Sequence, residues 1–196
     1  MNPFEIVAAI FGVISVFLSV RQNIWSWPTA IVNVGMYIFV FFRSKLYADT
    51  GLQVVYVVLN FYGWYQWLYG GKNRTELPVS RTPARIRALL VVIGAVSTAI
   101  IGTFLGHNTD AALPYMDALT TSTSLVAQWM MTRKLLENWI VWVAVDVVYI
   151  GMYVYKDLYV TSLLYAVFLV LSVMGYLEWK RSLASTAAIH QPALSS

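Results

Sequence analysis

The chain has 196 residues, 59% hydrophobic and only 11% charged, with a mean hydropathy of +0.66. Soluble domains carry about 25% charged residues, so a water-soluble fold could not cover its surface with these. The formal charge of +4 is too small and scattered for a nucleic-acid footprint, and zero cysteines exclude disulfides, thiolate metal sites and cysteine nucleophiles.

A membrane helix needs roughly 20 mostly apolar residues. Seven stretches qualify in chain order: 4–20, 24–42, 51–70, 88–106, 112–132, 138–155 and 158–179. They use most of the chain and leave no room for a soluble catalytic domain. The first residues lack a basic region, so no cleaved signal peptide is expected. The connection from Gly70 to Ala88 holds Lys72, Arg74, Arg81, Arg85 and Arg87. With that loop in the cytoplasm, Arg21, Arg133, Lys134, Lys180 and Arg181 join it, against Arg43, Lys45 and Lys156 on the other side. The positive-inside rule then predicts an all-α integral membrane protein with its N-terminus outside and its C-terminus inside. The polar tail, Ser182 to Ser196, is expected to be disordered.

Shifted by 112 residues, the sequence matches itself. Arg21 meets Arg133, Trp27 meets Trp139, Tyr37 meets Tyr149, Gly63 meets Gly175 and Trp67 meets Trp179. The offset pairs the first span with the fifth, the second with the sixth and the third with the seventh. The fourth is left over, which predicts a 3+1+3 arrangement. An odd linker helix keeps both repeats in one orientation, so they are parallel repeats, a transporter architecture with its site near the midplane. The division is 1–70 for the first bundle, 71–108 for the cytoplasmic connection and linker helix, 109–181 for the second bundle and 182–196 for the tail. In the fourth span Gly94, Thr98, Gly102 and Gly106 form a small-residue stripe, as do Ala8, Gly12, Ser15 and Ser19 in the first; both read as packing faces.

An Asp at a helix centre costs about 2.5–3.5 kcal/mol on an insertion scale. Such residues face the bundle interior and mark a site or pathway. Asp146 lies at the centre of the sixth span and Asn33 at the centre of the second, one position from repeat register. Four helical stripes accompany them: Trp139, Trp142, Asp146, Tyr149 and Tyr153; Gln53, Tyr56, Asn60, Trp64 and Trp67; Tyr165, Ser172, Tyr176 and Trp179; and Asp117, Thr121, Ser124 and Gln128. Trp25, Trp67 and Trp179, near helix ends, read instead as an interfacial belt. Asn60, Gln128 and Asp146 at depth read as a cavity lining. Aromatic faces stack on flat rings and attract cations, and the amides and hydroxyls suit ligand hydroxyl or amide groups. One acid and no base at that depth disfavours a phosphate or nucleotide.

Enzyme chemistry finds little support. There is no HExxH motif, no GxGD motif with Asp117 or Asp146, and neither His107 nor His190 lies inside an apolar run to serve a serine. All five lysines, Lys45, Lys72, Lys134, Lys156 and Lys180, fall at predicted ends or loops, so a buried retinal Schiff base is excluded. No cofactor and no metal are expected.

Three blocks resemble the PnuC family of bacterial vitamin transporters: Leu46-Tyr47-Ala48 with Leu52-Gln53-Val54; Asn60 to Trp67; and Met131 to Trp142. The resemblance covers nearly the whole membrane region, and the tryptophan-rich blocks are its specific part. It implies a fold like that of the sugar-transporting SWEET proteins, a multi-pass place in the bacterial cytoplasmic membrane, and facilitated diffusion of an unphosphorylated vitamin that a cytoplasmic kinase then traps. The family's Trp-x-x-Trp pattern followed by Asn or Asp maps onto Trp139, Trp142 and Asp146, and its first-repeat Asn onto Asn33. The reading is a uniporter for nicotinamide riboside, a flat cation with ribose hydroxyls. Trp64, Trp139, Trp142 and Tyr149 would sandwich the ring, while Asn33, Gln53, Asn60, Gln128 and Asp146, with Thr121 and Ser124 on the same lining, would hold polar groups. Thiamine or riboflavin transport, proton coupling through Asp146 and a non-transporting scaffold or sensor are the alternatives. The partners are then the substrate, the lipid bilayer and a nicotinamide riboside kinase, with no nucleic acid. Oligomeric state is left open.

Overall fold

Prolines set several helix starts, as expected of a residue that lacks an N–H and presets φ. The computed structural model describes residues 3–43, 47–109 and 113–189, and within them the chain forms seven α-helices. They are α1 (Pro3–Val20), α2 (Ser26–Arg43), α3 (Tyr47–Tyr69), α4 (Ala84–Asn108), α5 (Pro114–Thr132), α6 (Asn138–Tyr155) and α7 (Tyr159–Ile189). Each predicted span is a helix. The α4 start moves from 88 to Ala84 because Pro83 caps it and the basic residues that follow are good helix formers. The expected disorder from Ser182 is corrected as far as Ile189: that stretch has Ala, Leu and Ser but no Gly or Pro, so nothing stops α7. His190 and the last six residues of the predicted tail lie outside the described residues, as do Lys45 and Leu46.

α1 packs on α2, α2 on α3, α3 on α5, α5 on α6, α6 on α7 and α7 on α1. These six helices close a ring, with two seams where α3 meets α5 and α7 meets α1. α4 packs on α5 outside the ring. Its small-residue stripe makes that contact: a Cβ on Gly102 would strike the Tyr115 ring, and Gly106 faces Pro114. α4, α6 and Tyr159–Thr186 of α7 are long and apolar enough to cross a bilayer by length and composition. α2, α3 and α5 are more polar because their inward faces carry Asn33, Gln53, Asn60, Thr121, Ser124 and Gln128.

The α1–α2 and α5–α6 connections have the same geometry 112 residues apart. Gln22 N–H donates to Ser19 O at 3.0 Å, and Lys134 N–H to Met131 O at 3.0 Å. Asn23 N–H reaches Leu18 O at 2.9 Å, and Leu135 N–H reaches Met130 O at 3.1 Å. Gln22 and Lys134 both adopt left-handed backbone, with φ of 53° and 47°.

Between these connections lies a buried tryptophan cluster. Trp27 rests on Gly63 and Trp139 on Gly175, so closely that a Cβ on either glycine would overlap the indole. Trp27 meets Trp67 edge-on at 5.2 Å, Trp139 meets Trp179 edge-on at 5.4 Å, and Trp67 meets Trp179 at 5.8 Å. Each edge-to-face pair adds about 0.5–1.5 kcal/mol beyond area burial. Trp67 Nε1–H donates to Met131 O and Trp179 Nε1–H to Ser19 O, both at 3.0 Å. The expected interfacial belt is therefore corrected for Trp67 and Trp179, which are 2% and 0% exposed; Trp25, at 65%, is free to occupy one. Position near a predicted span end could not separate the two cases, since Trp25, Trp67 and Trp179 all share it.

The connection after α3 is an extended strap over this cluster. Leu77 N–H donates to Trp67 O, Ser80 N–H to Lys134 O at 3.1 Å, and Leu136 N–H to Ser80 O at 2.8 Å. Val79 is buried in the cluster, and the Lys134 ammonium sits 4.5 Å from the Trp67 ring centre. Thr82 N–H and Oγ1–H both donate to Glu137 Oε2 at 2.7 Å. Burial pushes the Glu137 carboxyl up, but the hydrogen bonds from Thr82, together with Glu137's own backbone N–H and the Arg81 charge, outweigh it and hold the group below its ordinary value. Burial also lowers the Lys134 ammonium, against a smaller opposing pull from Glu76.

Gly63→Ala and Gly175→Ala should each destabilise the protein by about 1–3 kcal/mol through overpacking, read as a fall in melting temperature in detergent. Gly151→Ala, where a Cβ meets nothing within 4 Å, should be neutral or slightly stabilising. A lowered carboxyl stabilises the fold above its unfolded-state value and loses that stabilisation as pH falls through the folded-state value. Hydrogen exchange at residues 77–82, corrected for intrinsic rates, should therefore stay slow at neutral pH and rise in acid. Glu137→Gln should abolish the pH step; an unchanged step would assign it to another group.

Candidate functional site

The ring encloses a cavity of about 480 Å³. It runs from Trp27 to Phe41 along α2, about 21 Å at about 1.5 Å per residue. Ser19, Ser26, Trp27, Met131 and Trp139 form its floor at the tryptophan cluster, and all five are buried. Tyr37, Phe41, Leu52, Tyr153, Thr161 and Leu164 line the opposite end and are half-buried. The cavity is thus closed at the end bearing Arg21, Arg133 and the basic strap, and less enclosed at the other.

Of the expected site residues, Asn33, Gln53, Asn60, Thr121, Ser124, Gln128, Trp139, Trp142, Asp146 and Tyr149 all line this cavity. Trp64 does not: it packs against the tryptophan cluster from outside the lining. It shares a stripe with Asn60, but four residues nearer the C-terminus that face has already reached the cluster. Trp139 lines the cavity at its floor, 1% exposed against Gly175, rather than as one leaf of a sandwich. Asp117 also leaves its predicted stripe and pairs with Lys156, Oδ1 to Nζ at 3.6 Å.

Polar groups at depth hold one another. Gln128 Nε2–H donates to Asn60 Oδ1 at 2.8 Å across the α3–α5 seam. Ser172 Oγ–H donates to Asp146 Oδ2 at 3.0 Å between α7 and α6. Asn33 Nδ2–H donates to Ala8 O at 2.6 Å, an approach that the small Ala8 and Gly12 of α1 permit. At the floor, Ser26 Oγ, Trp27 Nε1 and Trp139 Nε1 are buried without a protein partner. A buried donor without a partner is costly, so these atoms are a local expense of the close packing at the floor.

Aromatic rings make up much of the remaining wall. Tyr165 lies 4.5 Å from Tyr149, 5.2 Å from Tyr153 and 5.7 Å from Phe168, centre to centre. Tyr37 stacks on Phe41 at 5.6 Å. Among the described lining residues the one carboxylic acid is Asp146, and there is no Lys, Arg or His. Ser172, Tyr56, Tyr153 and Tyr165 lie on the predicted stripes but outside the expected site, and Trp27 and Tyr37 lie outside both; all six line the cavity. The 112-residue offset could have brought in Trp27, Tyr37 and Ser172, because it pairs them with Trp139, Tyr149 and Asn60.

A ring of apolar-backed helices around a polar, aromatic cavity is the arrangement of a small-molecule carrier. The chain belongs to the nicotinamide mononucleotide transporter family, whose profile matches residues 2–181. It is a transporter and not an enzyme. It is similar to the nicotinamide riboside transporter PnuC of Escherichia coli (strain K12), 27% identical over 93% of this chain and 87% of that one. It is also similar to the riboflavin/roseoflavin transporter RibM of Streptomyces davaonensis, 26% identical over 89% of this chain and 83% of that one. The crystal structure of the vitamin B3 transporter PnuC superposes with a TM-score of 0.74 at 27% identity, covering 94% of this chain and 84% of that one.

Proposed function

We propose that this chain carries nicotinamide riboside across the bacterial cytoplasmic membrane by facilitated diffusion. The observation that carries the reading is the lining's charge pattern: one acid, Asp146, among aromatic rings and neutral hydrogen-bonding groups, with no base. A planar pyridinium cation gains from the aromatic faces and from the acid. Trp142 and Tyr149 flank the ring, while Asn33, Gln53, Asn60, Thr121, Ser124, Gln128 and Asp146 receive the ribose hydroxyls and carboxamide. Trp139 closes the site from below.

The family description names the mononucleotide, but its phosphate would meet an acid and no cation. The unphosphorylated riboside, named for the PnuC relatives, fits this lining better. The same asymmetry supports trapping. Once a cytoplasmic kinase adds a phosphate, the product no longer suits the cavity and cannot return.

The fold in this reading is two parallel three-helix bundles joined by α4. The closed six-helix ring and the matched connections 112 residues apart support it. The positive-inside rule supports a cytoplasmic basic end, an outside N-terminus and an inside C-terminus. Riboflavin is the second reading, favoured by the similarity to RibM over most of the chain.

Calorimetry of the purified protein against nicotinamide riboside, its mononucleotide, thiamine and riboflavin tests this reading. The riboside should bind, and the mononucleotide should bind at least about tenfold more weakly, an electrostatic difference of about 1.4 kcal/mol or more. Trp142→Phe should weaken binding about two- to tenfold, the span of one aromatic contact, whereas Trp64→Phe should leave it unchanged. Preferential binding of riboflavin would keep the carrier and replace the substrate.

A further inference from the structure

The tryptophan cluster does more than fill space at the basic end. The ring has two seams between its halves, α3–α5 and α7–α1. One indole hydrogen bond crosses each: Trp67 of α3 donates to Met131 of α5, and Trp179 of α7 donates to Ser19 of α1, each at 3.0 Å. The bonds are related by the 112-residue offset in donor and acceptor alike. Both acceptors lie in the last turn of their helix and already accept a backbone N–H, from Lys134 and Gln22, so the indole N–H takes the second lone pair of each carbonyl. Trp67 and Trp179 also touch each other at 5.8 Å, so the two seams are fastened at one point beneath the cavity floor.

The fastening is backed on one side only. The strap after α3 bridges Ser80 to Leu135 of the opposite half and buries Val79 in the cluster, while Thr82 is held by Glu137. Among the described residues no equivalent strap follows the second indole, because α7 continues as helix to Ile189.

We infer that Trp67 and Trp179 are paired positioning residues that latch the basic end of the carrier shut, and that the strap through Ser80 locks the latch. Both indole bonds and the strap must release for the halves to part at this end, whereas packing within each half can persist. The inference rests on the carrier reading, but not on which molecule is carried.

The chain has no cysteine, so a single introduced thiol reports one position without background. Ser26→Cys places it at the buried floor, where the serine hydroxyl has no partner to lose. In membrane vesicles of defined orientation, a membrane-impermeant maleimide applied to the basic face should label this thiol poorly. Adding Trp67→Phe and Trp179→Phe, which keep aromatic rings but remove both N–H donors, should raise the labelling rate at least about tenfold by shifting the carrier toward the state open at this end. Unchanged labelling in a variant that still melts cooperatively would overturn the latch.

A second test survives a folding failure of that variant. Ser80→Cys with Leu135→Cys should form a disulfide on oxidation. Uptake of labelled nicotinamide riboside into proteoliposomes should then fall at least about tenfold and recover on reduction, the behaviour of a locked two-state carrier. Full uptake by the cross-linked protein would overturn the lock. If even the unmodified protein takes up no riboside, the substrate assignment fails, while the labelling experiment still decides the latch.

Discussion

Two glycines set the geometry on which the rest depends. Gly63 and Gly175 lack the Cβ that would collide with Trp27 and Trp139, so an indole lies directly on the backbone of α3 and of α7. That contact fixes how closely the second helix of each half approaches the third. It also turns Trp67 and Trp179 toward the seams, where their N–H groups find Met131 and Ser19. The closed floor, the docking of Val79 and the depth of the cavity above all follow from it.

Above that floor a second constraint operates. In a bilayer, polar side chains must be satisfied by protein or ligand, since hydrocarbon offers no partner. The ring meets this by pairing groups across helices: Gln128 with Asn60, Ser172 with Asp146 and Asn33 with the Ala8 carbonyl. The pairing is incomplete by design of the lining, because most of these groups retain hydrogen-bonding capacity toward the cavity. A ligand that offers hydroxyls, an amide and a flat cationic ring uses that capacity. A phosphate would bring negative charge to a wall whose described residues offer it the Asp146 carboxyl and no cation.

Much of this was legible in the sequence. Apolar run length gave the helices, periodic stripes gave nine of the ten expected site residues that line the cavity, and Asn33 came from its place at a span centre, because helical spacing and the high cost of buried polarity both act locally. What stayed hidden depends on relations between helices. Trp64 and Asn60 share a helix face, yet one faces the cluster and the other the cavity, and the depth of the floor separates them. Trp67 and Trp179 look like belt residues from their positions near helix ends, and only their glycine-backed partners bury them. The strap reads as a basic loop. Its docking rests on one backbone bridge at Ser80 and one carboxyl at Glu137, neither of which has a sequence signature. The end of α7 was misjudged because polarity was read as disorder where helix propensity was high.

The most direct test of the carrier account is uptake of labelled nicotinamide riboside into proteoliposomes with no ion gradient. Facilitated diffusion predicts that internal riboside rises to the external concentration and stops there, with excess unlabelled riboside competing and the mononucleotide failing to compete. No uptake beyond protein-free liposomes would contradict carriage of this substrate. Accumulation above the external concentration when a proton gradient is imposed would contradict uniport and return Asp146 to the role of a proton-coupling group.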